Sequence, residues 1–351
     1  MRVCDVVVIG AGVMGSATAW WLARAGRDVV LLEQFEAGHV RASSHGSTRI
    51  FRLAYPDAGY IEMARSALPL WRELEEDAGV ELLVTTGGID YGAAESVRSL
   101  ADALQRTAVP HDVIDPSDAA ARWPGFAFAG PVLYQPDAGR LWADEAVRAL
   151  HRQAGTYGAA VRFEEPVRAV VPANDDQVLV TTDADEYRAR VAVVTAGAWV
   201  SSLLTGVVEL PILTVTREQV FHFPTRLDGD AGWPSYIHHS SGFIYGLQGH
   251  GDEGIKVAEH HRGAITTADG RSFAIDQAGR QRVVNHVRTN MPGLDPTPTS
   301  ATTCLYTTTA DESFVIERHG PIVVGSPCSG HGFKFAPLIG RHLAHLAMAA
   351  G

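Results

Sequence analysis

The segment VVVIGAGVMGSATAWWLARAG, residues 6–26, constrains the fold more than any other part of the chain. It begins with a continuous β-branched run, which is typical of a strand buried on both faces of a parallel sheet. A GxGxxG turn follows, then a helical pattern closed by Gly26, and a second strand runs from Asp28 to Leu32. These elements predict a complete βαβ unit within about 30 residues.

The turn itself predicts a dinucleotide site. Gly10 permits the tight turn, Gly12 lets a pyrophosphate approach the backbone, and Gly15 lets helix and strand pack closely. The helix N-terminus faces the phosphates, and Glu33, at the end of the second strand, can bind ribose hydroxyls. A Glu rather than an Arg here favours a ribose without a 2′-phosphate. From this motif alone, NAD and FAD are both possible.

Composition excludes several classes of function. The chain has 351 residues, enough for two domains, and its net charge of -11 argues against nucleic acid as the main partner. Cys4, Cys304 and Cys328 give no disulfide framework, and no CxxC pair indicates zinc, so we expect a reducing compartment and no metal site. No apolar run reaches the roughly 20 residues needed to cross a bilayer. The N-terminus lacks the features of a signal peptide, which predicts a soluble, cytoplasmic protein.

A polar, basic segment follows the βαβ unit. It reads HVRASSHGSTRIFRLAYPD, residues 39–57, and includes Arg41, His45, Arg49 and Arg52. Arg49 and Arg52 are three residues apart, so a helical turn would put them on one face. The position of this segment directly after the nucleotide unit indicates an anion or flavin contact.

The remaining patterns predict two interleaved domains, because the chain has no repeats and no low-complexity linker. Residues 209–263 have Pro and Gly breaks between longer strands, which indicates an antiparallel sheet. Asp144 is predicted to cap a helix that ends near Gly155. The other predicted elements are helices over 60–78, 276–291 and 337–349, and strands over 160–171, 177–182 and 190–194.

The chain resembles the monomeric sarcosine oxidase and N-methyl amino acid oxidase family of FAD-dependent oxidoreductases, which are D-amino-acid-oxidase-like. The resemblance covers nearly the whole chain. It rests on GAGVMG at 10–15, SSHGSTRIFRLAYPD at 43–57, VVTAGAW at 193–199, IKVAEHH at 255–261, CLYTTTADESFVIERH at 304–319 and SGHGFKF at 329–335. The last two motifs together are more specific than any dinucleotide motif.

The resemblance implies a mixed α/β fold, in which a Rossmann-like FAD-binding domain is interleaved with a substrate domain built on an antiparallel sheet. We expect the FAD-binding domain at 1–85, 141–208 and 301–351, and the substrate domain at 86–140 and 209–300. It also implies a monomer that oxidises a small secondary amine or amino acid to an imine, with O2 reduced to H2O2. The imine would then be hydrolysed by water.

The resemblance further implies a set of flavin contacts. Cys304 would form a thioether to the flavin, and Thr48 and Arg49 would contact the flavin ring. The complete expected cofactor-binding set is Gly10, Gly12, Val13, Met14, Gly15, Glu33, Gln34, His45, Thr48, Arg49, Val167, Ala196, Gly197, Trp199, Cys304, Gly330, Gly332 and Lys334.

The same resemblance assigns the chemistry at the flavin. Lys256 would activate oxygen, because a cation there favours developing negative charge. Arg52 and Lys334 would bind the substrate carboxylate, through a bidentate fork and a compact charge. The remaining expected catalytic residues are Arg49, Tyr245, His260, Tyr306 and His331.

Three alternatives remain open at this stage. The first is a FAD dehydrogenase of the same fold that passes electrons to another acceptor. The second is a non-catalytic nucleotide-binding protein, and the third is an NAD-dependent dehydrogenase. Three features depart from the family. Cys328 stands where relatives commonly carry Phe, and pocket-lining residues between 209 and 250, for example the run HHSSGFIYGLQGHGDEG, differ enough to leave the substrate side chain undefined. The chain also stops at Gly351, whereas relatives continue further.

Overall fold

A computed structural model of the chain describes residues 1–227, 232–240 and 242–349. Of the segments discussed above, positions 228–231, 241 and 350–351 lie outside the described residues. The described helices are α1 Val13–Arg24, α2 Ala58–Ala78, α3 Ala94–Arg106, α4 Pro116–Arg122, α5 Ala143–Thr156, α6 Val200–Leu204, α7 Gln277–Asn290 and α8 Ala336–Met348.

The described strands lie between these helices. They are β1 Arg2–Ile9, β2 Val29–Leu32, β3 Thr48–Phe51, β4 Leu83–Val84, β5 Gly88–Gly92, β6 Asp112–Ile114, β7 Val132–Gln135, β8 Gly139–Trp142, β9 Ala160–Arg162, β10 Val167–Asn174, β11 Gln177–Thr182, β12 Glu186–Val194, β13 Thr214–Phe223, β14 Ser235–His239, β15 Ile244–Gln248, β16 Ile255–Glu259, β17 Ala264–Ile265, β18 Ser300–Thr308, β19 Val315–His319 and β20 Ile322–Ser326.

The first sheet contains the predicted βαβ unit. Its parallel core has the order β20-β12-β1-β2-β9, and the antiparallel strands β10, β11 and β19 extend it. Val6 and Val8 pack in one core cluster with α1, α5 and α8, whereas Val7 and Ile9 pack in a second cluster with β10, β11 and α6. Both faces of β1 are therefore buried, as its continuous β-branched run predicts.

The second sheet has nine strands, in the order β17-β13-β16-β15-β14-β5-β7-β6, with β18 also paired to β13. All of its pairs are antiparallel except β5–β14, which is parallel. The predicted antiparallel character is thus correct for 209–263, but the sheet as a whole is mixed. The parallel pair arises because β5 enters from a distant part of the chain. A third, small sheet has the order β3-β8-β4.

The mixed α/β architecture is therefore confirmed, and the chain passes between the first two sheets more than once. Strands β5 to β7 join the second sheet, β9 to β12 return to the first, β13 to β18 join the second again, and β19 and β20 complete the first. The carboxyl ends of β1 and β12 consequently face residues of the second sheet, and this junction carries the site.

Two local predictions are wrong. Asp144 does not cap α5, because the helix begins at Ala143, and the Asp144 carboxylate instead accepts a hydrogen bond from the Gly46 N–H at 2.9 Å. Arg49 and Arg52 do not share a helical face, because Arg49 lies in β3, which pairs with β8. An extended strand points residues three apart to opposite faces.

Across residues 1–227, 232–240 and 242–349, every helix is too short or too polar to cross a bilayer. The same ranges contain no group of three or more His, Cys, Asp or Glu side chains arranged to hold a metal ion.

Candidate active site

A cavity of about 970 Å³ is bounded by residues of the first and second sheets, a size typical of small-molecule sites. Among the expected site residues, only Gly15 and Thr48 are absent from its wall, because Gly15 packs behind the turn and Thr48 is fully buried. The expected residues that line it are Gly10, Gly12, Val13, Met14, Glu33, Gln34, His45, Arg49, Arg52, Val167, Ala196, Gly197, Trp199, Tyr245, Lys256, His260, Cys304, Tyr306, Gly330, His331, Gly332 and Lys334.

The turn after β1 forms one end of the cavity. Gly10 has a φ of 96°, and a Cβ there would lie 2.6 Å from the Thr195 carbonyl oxygen, so no larger residue fits. A Cβ on Gly15 would lie 1.9 Å from the Gly10 carbonyl oxygen. Gly12 is the N-cap of α1 and has no side chain to cap the helix, and the first turn has no acidic residue; one donor of that turn, the Val13 N–H, bonds to Ser44 Oγ. The helix start is therefore open to an anionic group.

Glu33 follows β2 and is held by two backbone donors. The Ala11 N–H donates to its Oε2 at 2.9 Å, and the Phe35 N–H donates to its Oε1 at 3.1 Å. An ionised carboxylate has about four acceptor positions. Glu33 therefore keeps capacity for hydroxyl donors inside the cavity.

The loop over 39–47 lines the cavity and forms hydrogen bonds to α1, to β18 and to Arg271. Ser44 Oγ accepts from the Val13 N–H at 3.1 Å, and Ser43 Oγ donates to the Leu305 carbonyl at 2.6 Å. Buried Arg271 donates to the Val40 carbonyl at 2.8 Å. The sequence contained no signal for Arg271, because this contact joins residues 231 positions apart.

Arg49 closes the same loop from β3. Its guanidinium donates to the Ser43 and His45 carbonyls at 2.8 and 2.7 Å and to the Thr48 carbonyl at 2.8 Å. The Arg49 guanidinium is thus held by neutral carbonyl oxygens. None of these three hydrogen bonds neutralises its positive charge, which therefore acts on groups in the cavity.

Lys256 lies in β16, in the interior of the second sheet, and only 5% of it is exposed. Its Nζ donates to the Thr48 carbonyl at 3.0 Å. Burial, and then the Arg49 charge, lowers the pKa of Lys256 to about 7. A buried amine of this kind changes its charge near neutral pH.

Cys304 lies in β18, whose alternate residues Ser300, Thr302, Cys304 and Tyr306 all line the cavity. Burial raises the pKa of the Cys304 thiol, although the Arg49 and Lys256 charges oppose that effect. Cys328 also lines the cavity, and its Sγ accepts from the Thr307 N–H at 3.4 Å. Cys4 is buried in the core of the first sheet.

Arg52 and Lys334 line another part of the cavity wall, and both contact Tyr55. The Lys334 ammonium donates to Tyr55 Oη at 2.7 Å and to the His331 carbonyl at 2.6 Å. The Arg52 guanidinium lies 4.1 Å from the centre of the Tyr55 ring. Burial, and then the Arg52 charge, lowers the pKa of Lys334 well below its usual value. Two cations therefore share one aromatic ring without an acidic partner among their hydrogen bonds.

Histidine and tyrosine side chains complete this part of the cavity wall. His331 Nδ1 is 3.3 Å from Tyr55 Oη, and His260 Nδ1 is 3.4 Å from Tyr306 Oη. Tyr245 packs edge-on against the His260 ring. Burial and nearby cations lower the pKa of His331 to about 3, and burial and then His261 lower that of His260 well below its usual value. Both imidazoles are neutral at physiological pH.

Tyr55 contacts the expected site residues Arg52, His331 and Lys334, and the sequence analysis did not single it out. It lies inside the FRLAYPD stretch, but neither composition nor spacing separates it from its neighbours. Its hydroxyl meets Lys334, which is 279 positions away in the chain.

Comparison with known proteins agrees with this geometry. Residues 5–346 match the family described as FAD dependent oxidoreductase. The chain belongs to this family. Its cofactor is therefore FAD, and it is an oxidoreductase of the flavin-dependent type that the sequence motifs predicted.

The proteins to which this chain is similar include two sarcosine oxidases and one other amino acid oxidase. Peroxisomal sarcosine oxidase of Mus musculus is 34% identical over 98% of this chain and 92% of its own length. Monomeric sarcosine oxidase of Bacillus sp. (strain NS-129) is 31% identical over the same shares. The open form of NikD, an unusual amino acid oxidase essential for nikkomycin biosynthesis, superimposes with a TM-score of 0.88 at 25% identity, covering 99% of this chain and 94% of its own. The predicted family resemblance is confirmed.

The cavity fits FAD. Its Gly10 end has the open helix start and the acceptor-rich Glu33 that a pyrophosphate and a ribose require. On the cavity wall, His45 Nε2 and Ser326 Oγ are buried without hydrogen-bond partners among the described residues, so both atoms can bond to polar atoms of a ligand. Cys304, Lys256 and Arg49 lie together beyond them.

Proposed function

We propose that this oxidoreductase oxidises the CH–NH group of a secondary amino acid, N-methylated or cyclic, to an imine, and that O2 is its electron acceptor. The names of its relatives support the substrate class. The observation that carries the proposal is the pair of cations, Arg52 and Lys334, on the Tyr55 ring.

This part of the cavity suits a carboxylate. A forked guanidinium and a compact ammonium can both donate charge-assisted hydrogen bonds to one anion. The Arg52 charge and burial disfavour the ammonium form of Lys334. A bound carboxylate would offset the unfavourable free energy of placing the Lys334 ammonium beside Arg52. We therefore expect the carboxylate of the substrate to contribute a large part of its binding energy.

The neutral histidines suit an amine. A secondary amine is an ammonium ion in water and must lose a proton before its C–N bond can be oxidised. Burial keeps the His260 and His331 rings neutral, so they add no positive charge beside the amine, and the nearby cations favour the uncharged amine.

Bound FAD would supply the redox chemistry, as acceptor of the hydrogen and two electrons that leave the carbon and as their donor to O2; together with the proton that leaves the nitrogen, this gives H2O2. Water then hydrolyses the imine to an amine and a carbonyl compound. The chain's own part is to bind the carboxylate, to hold the amine unprotonated and to enclose the reacting atoms.

We also propose that Cys304 carries FAD through a thioether and that Lys256 promotes the oxygen reaction. Cys304 lies two residues before Tyr306 in the chain. Its thiol lines the same cavity as two cations, Arg49 and Lys256. Lys256 presents a buried amine to the same space. We further propose that the protein is a monomer, like the bacterial monomeric sarcosine oxidases to which it is similar. Sedimentation at two concentrations would test this.

The substrate proposal is tested by mixing the purified holoenzyme anaerobically with sarcosine, an N-methyl aromatic amino acid and pipecolate in separate experiments. Loss of the oxidised flavin absorption band with one of them, and with no primary or carboxylate-free analogue, is the expected result. No bleaching by any of the three would overturn the secondary amino acid assignment.

The acceptor proposal needs a separate experiment. The reduced enzyme is mixed with air-saturated buffer while flavin absorption and peroxide are followed. Stoichiometric peroxide is expected, and Lys256→Met should slow this step far more than it slows flavin reduction. Slow reoxidation by air combined with fast reoxidation by a quinone would identify a dehydrogenase instead.

A further inference from the structure

Lys256 has a neighbour on the cavity face of the second sheet that the proposed chemistry does not use. His222 of β13 stands directly opposite Lys256 of β16 in the antiparallel register. Directly opposed residues point to the same face of a sheet with Cβ atoms about 5 Å apart, and both side chains line the cavity. The His222 Nδ1 contacts Ser300 Oγ at 3.1 Å, and its Nε2 is buried without a hydrogen-bond partner.

Glu253 completes the group from the 3₁₀ turn before β16. Its Oε2 accepts from Ser47 Oγ at 2.5 Å and from the His250 N–H at 3.0 Å, and it lies 3.8 Å from His222 Nε2. The next residue after Ser47 is Thr48, whose carbonyl accepts from Lys256 Nζ. Two consecutive residues at the start of β3 therefore hold a carboxylate and an ammonium near each other.

Two other ionisable groups near Lys256 bond to backbone atoms. Arg49 donates to backbone carbonyls, and the Asp144 carboxylate accepts from the Gly46 N–H. Within the part of the chain that the structure describes, the groups that act on Lys256 or respond to it include His45, Arg49, Asp144, His222, Glu253 and Cys304. Cys304, then Glu253, then Asp144 raise the pKa of Lys256. The proposed thioether would remove the charge of Cys304, which leaves Glu253 as the stronger of the two carboxylates, and Glu253 lies close to the opposed His222.

We propose that Glu253 is the counter-charge that keeps Lys256 protonated in the cavity, and that the Ser47 hydroxyl and the His250 N–H position its carboxylate. Burial raises the pKa of the Glu253 carboxyl, but the hydrogen bonds from Ser47 and His250, and then the interactions with His222 and Lys256, bring it below its usual value, so it is ionised at neutral pH. Burial, and then Lys256, lowers the pKa of His222, so its ring is neutral and does not compete for the carboxylate. Glu253 acts on the cavity through Lys256 and is therefore a positioning residue.

The sequence permits a direct test, because the chain has only two lysines, Lys256 and Lys334. The oxidised holoenzyme labelled with [ε-¹³C]lysine has two ε-carbon resonances, which Lys256→Met assigns. In the wild type the Lys256 resonance should titrate with a midpoint of about 7. In Glu253→Gln this midpoint should fall by about one pH unit, since one charged neighbour changes a pKa on that scale.

Three further variants make the test specific. Glu253→Asp should restore most of the wild-type midpoint, and Ser47→Ala should lower it by less than Glu253→Gln does. Glu317→Gln, which removes an exposed carboxylate on β19, should leave it unchanged. The Lys334 resonance provides an internal control and should not move in any of them. An unchanged Lys256 midpoint in both Glu253→Gln and Ser47→Ala would overturn the inference.

The effect on oxygen chemistry rests on the proposed function and is measured separately. If Lys256 promotes flavin reoxidation as an ammonium ion, the pH midpoint of reoxidation should fall in Glu253→Gln together with the NMR midpoint. A shifted NMR midpoint with unshifted reoxidation supports the counter-charge role of Glu253 and removes Lys256 from the oxygen step.

Discussion

The Lys334 ammonium donates a 2.7 Å hydrogen bond to Tyr55 Oη, and this contact joins two segments that are 279 residues apart. Tyr55→Phe keeps the ring against which Arg52 packs but removes the acceptor for Lys334. Because hydrogen bonds to charged groups contribute about 1.5–3 kcal/mol, we expect about tenfold weaker binding of a carboxylate ligand, measured from its perturbation of the flavin spectrum. Tyr60→Phe is the matched control, since that hydroxyl contacts only the Glu312 carbonyl at 3.5 Å among the described hydrogen bonds. Equal effects of the two variants would remove Tyr55 from the carboxylate site.

Arg52→Ala should raise KM for the amino acid substrate by about 100-fold, with a smaller change in kcat, because a forked charge-assisted contact is lost. An amine that lacks the carboxylate should be oxidised equally poorly by the variant and by the wild type. Steady-state kinetics with the acid and its decarboxylated analogue make the comparison. An unchanged KM for the acid would contradict the role of Arg52.

Cys304→Ser should convert a covalently held flavin into a dissociable one. After acid precipitation, we expect the flavin to remain with wild-type protein and to appear in the supernatant of the variant. Cys328→Ser is the matched control, because its thiol lines the same cavity and should leave the flavin attached. Release of flavin from the wild type, or retention by Cys304→Ser, would contradict the proposed linkage.

Gly15→Ala should destabilise the fold and reduce the FAD content. The added Cβ would lie 1.9 Å from the Gly10 carbonyl oxygen, and overpacking of this kind costs about 1–3 kcal/mol. Gly155→Ala in α5 is the matched control, because a Cβ there meets no atom within 4 Å. It should stabilise the protein by up to about 1 kcal/mol. Thermal unfolding and the ratio of flavin to protein absorbance measure both variants.

A histidine pair away from the active site should make the protein sensitive to acid. The His238 and His286 rings are 5.0 Å apart, and His238 Nδ1 and His286 Nε2 are buried without hydrogen-bond partners. Burial, and then His238, lowers the pKa of His286 to about 4. The unfolded chain binds a proton at His286 near pH 6.5, so the stability from this residue is complete above that pH and is lost as pH falls towards 4.

This loss amounts to at most about 3 kcal/mol. In His286→Gln, the melting temperature should therefore fall less steeply between pH 6.5 and 4 than in the wild type. His319→Gln replaces a more exposed histidine and should leave the slope unchanged. Parallel slopes for wild type and His286→Gln would contradict the assignment.

Local sequence patterns predicted some parts of the molecule well. The βαβ unit over 2–32 followed from a buried β-branched run, a glycine turn and a helical repeat, all of which act over a few residues. The error over Arg49 and Arg52 has a physical cause: an isolated segment of this composition can form a helical turn, and only pairing of β3 with β8 makes it a strand. Asp144 was misassigned for a similar reason, since its carboxylate finds a donor in Gly46, in a distant loop.

The sequence by itself determined the nucleotide-binding turn, the family and most of the side chains that line the cavity, because glycine geometry and short motifs are local. Only the tertiary structure decided how these side chains meet. It put Tyr55 under Lys334 and Arg52, Arg271 on the 39–47 loop, and His222 and Glu253 beside Lys256. Each of these contacts joins strands or loops that are distant in the chain, and the charge of each group depends on burial that only the assembled sheets create.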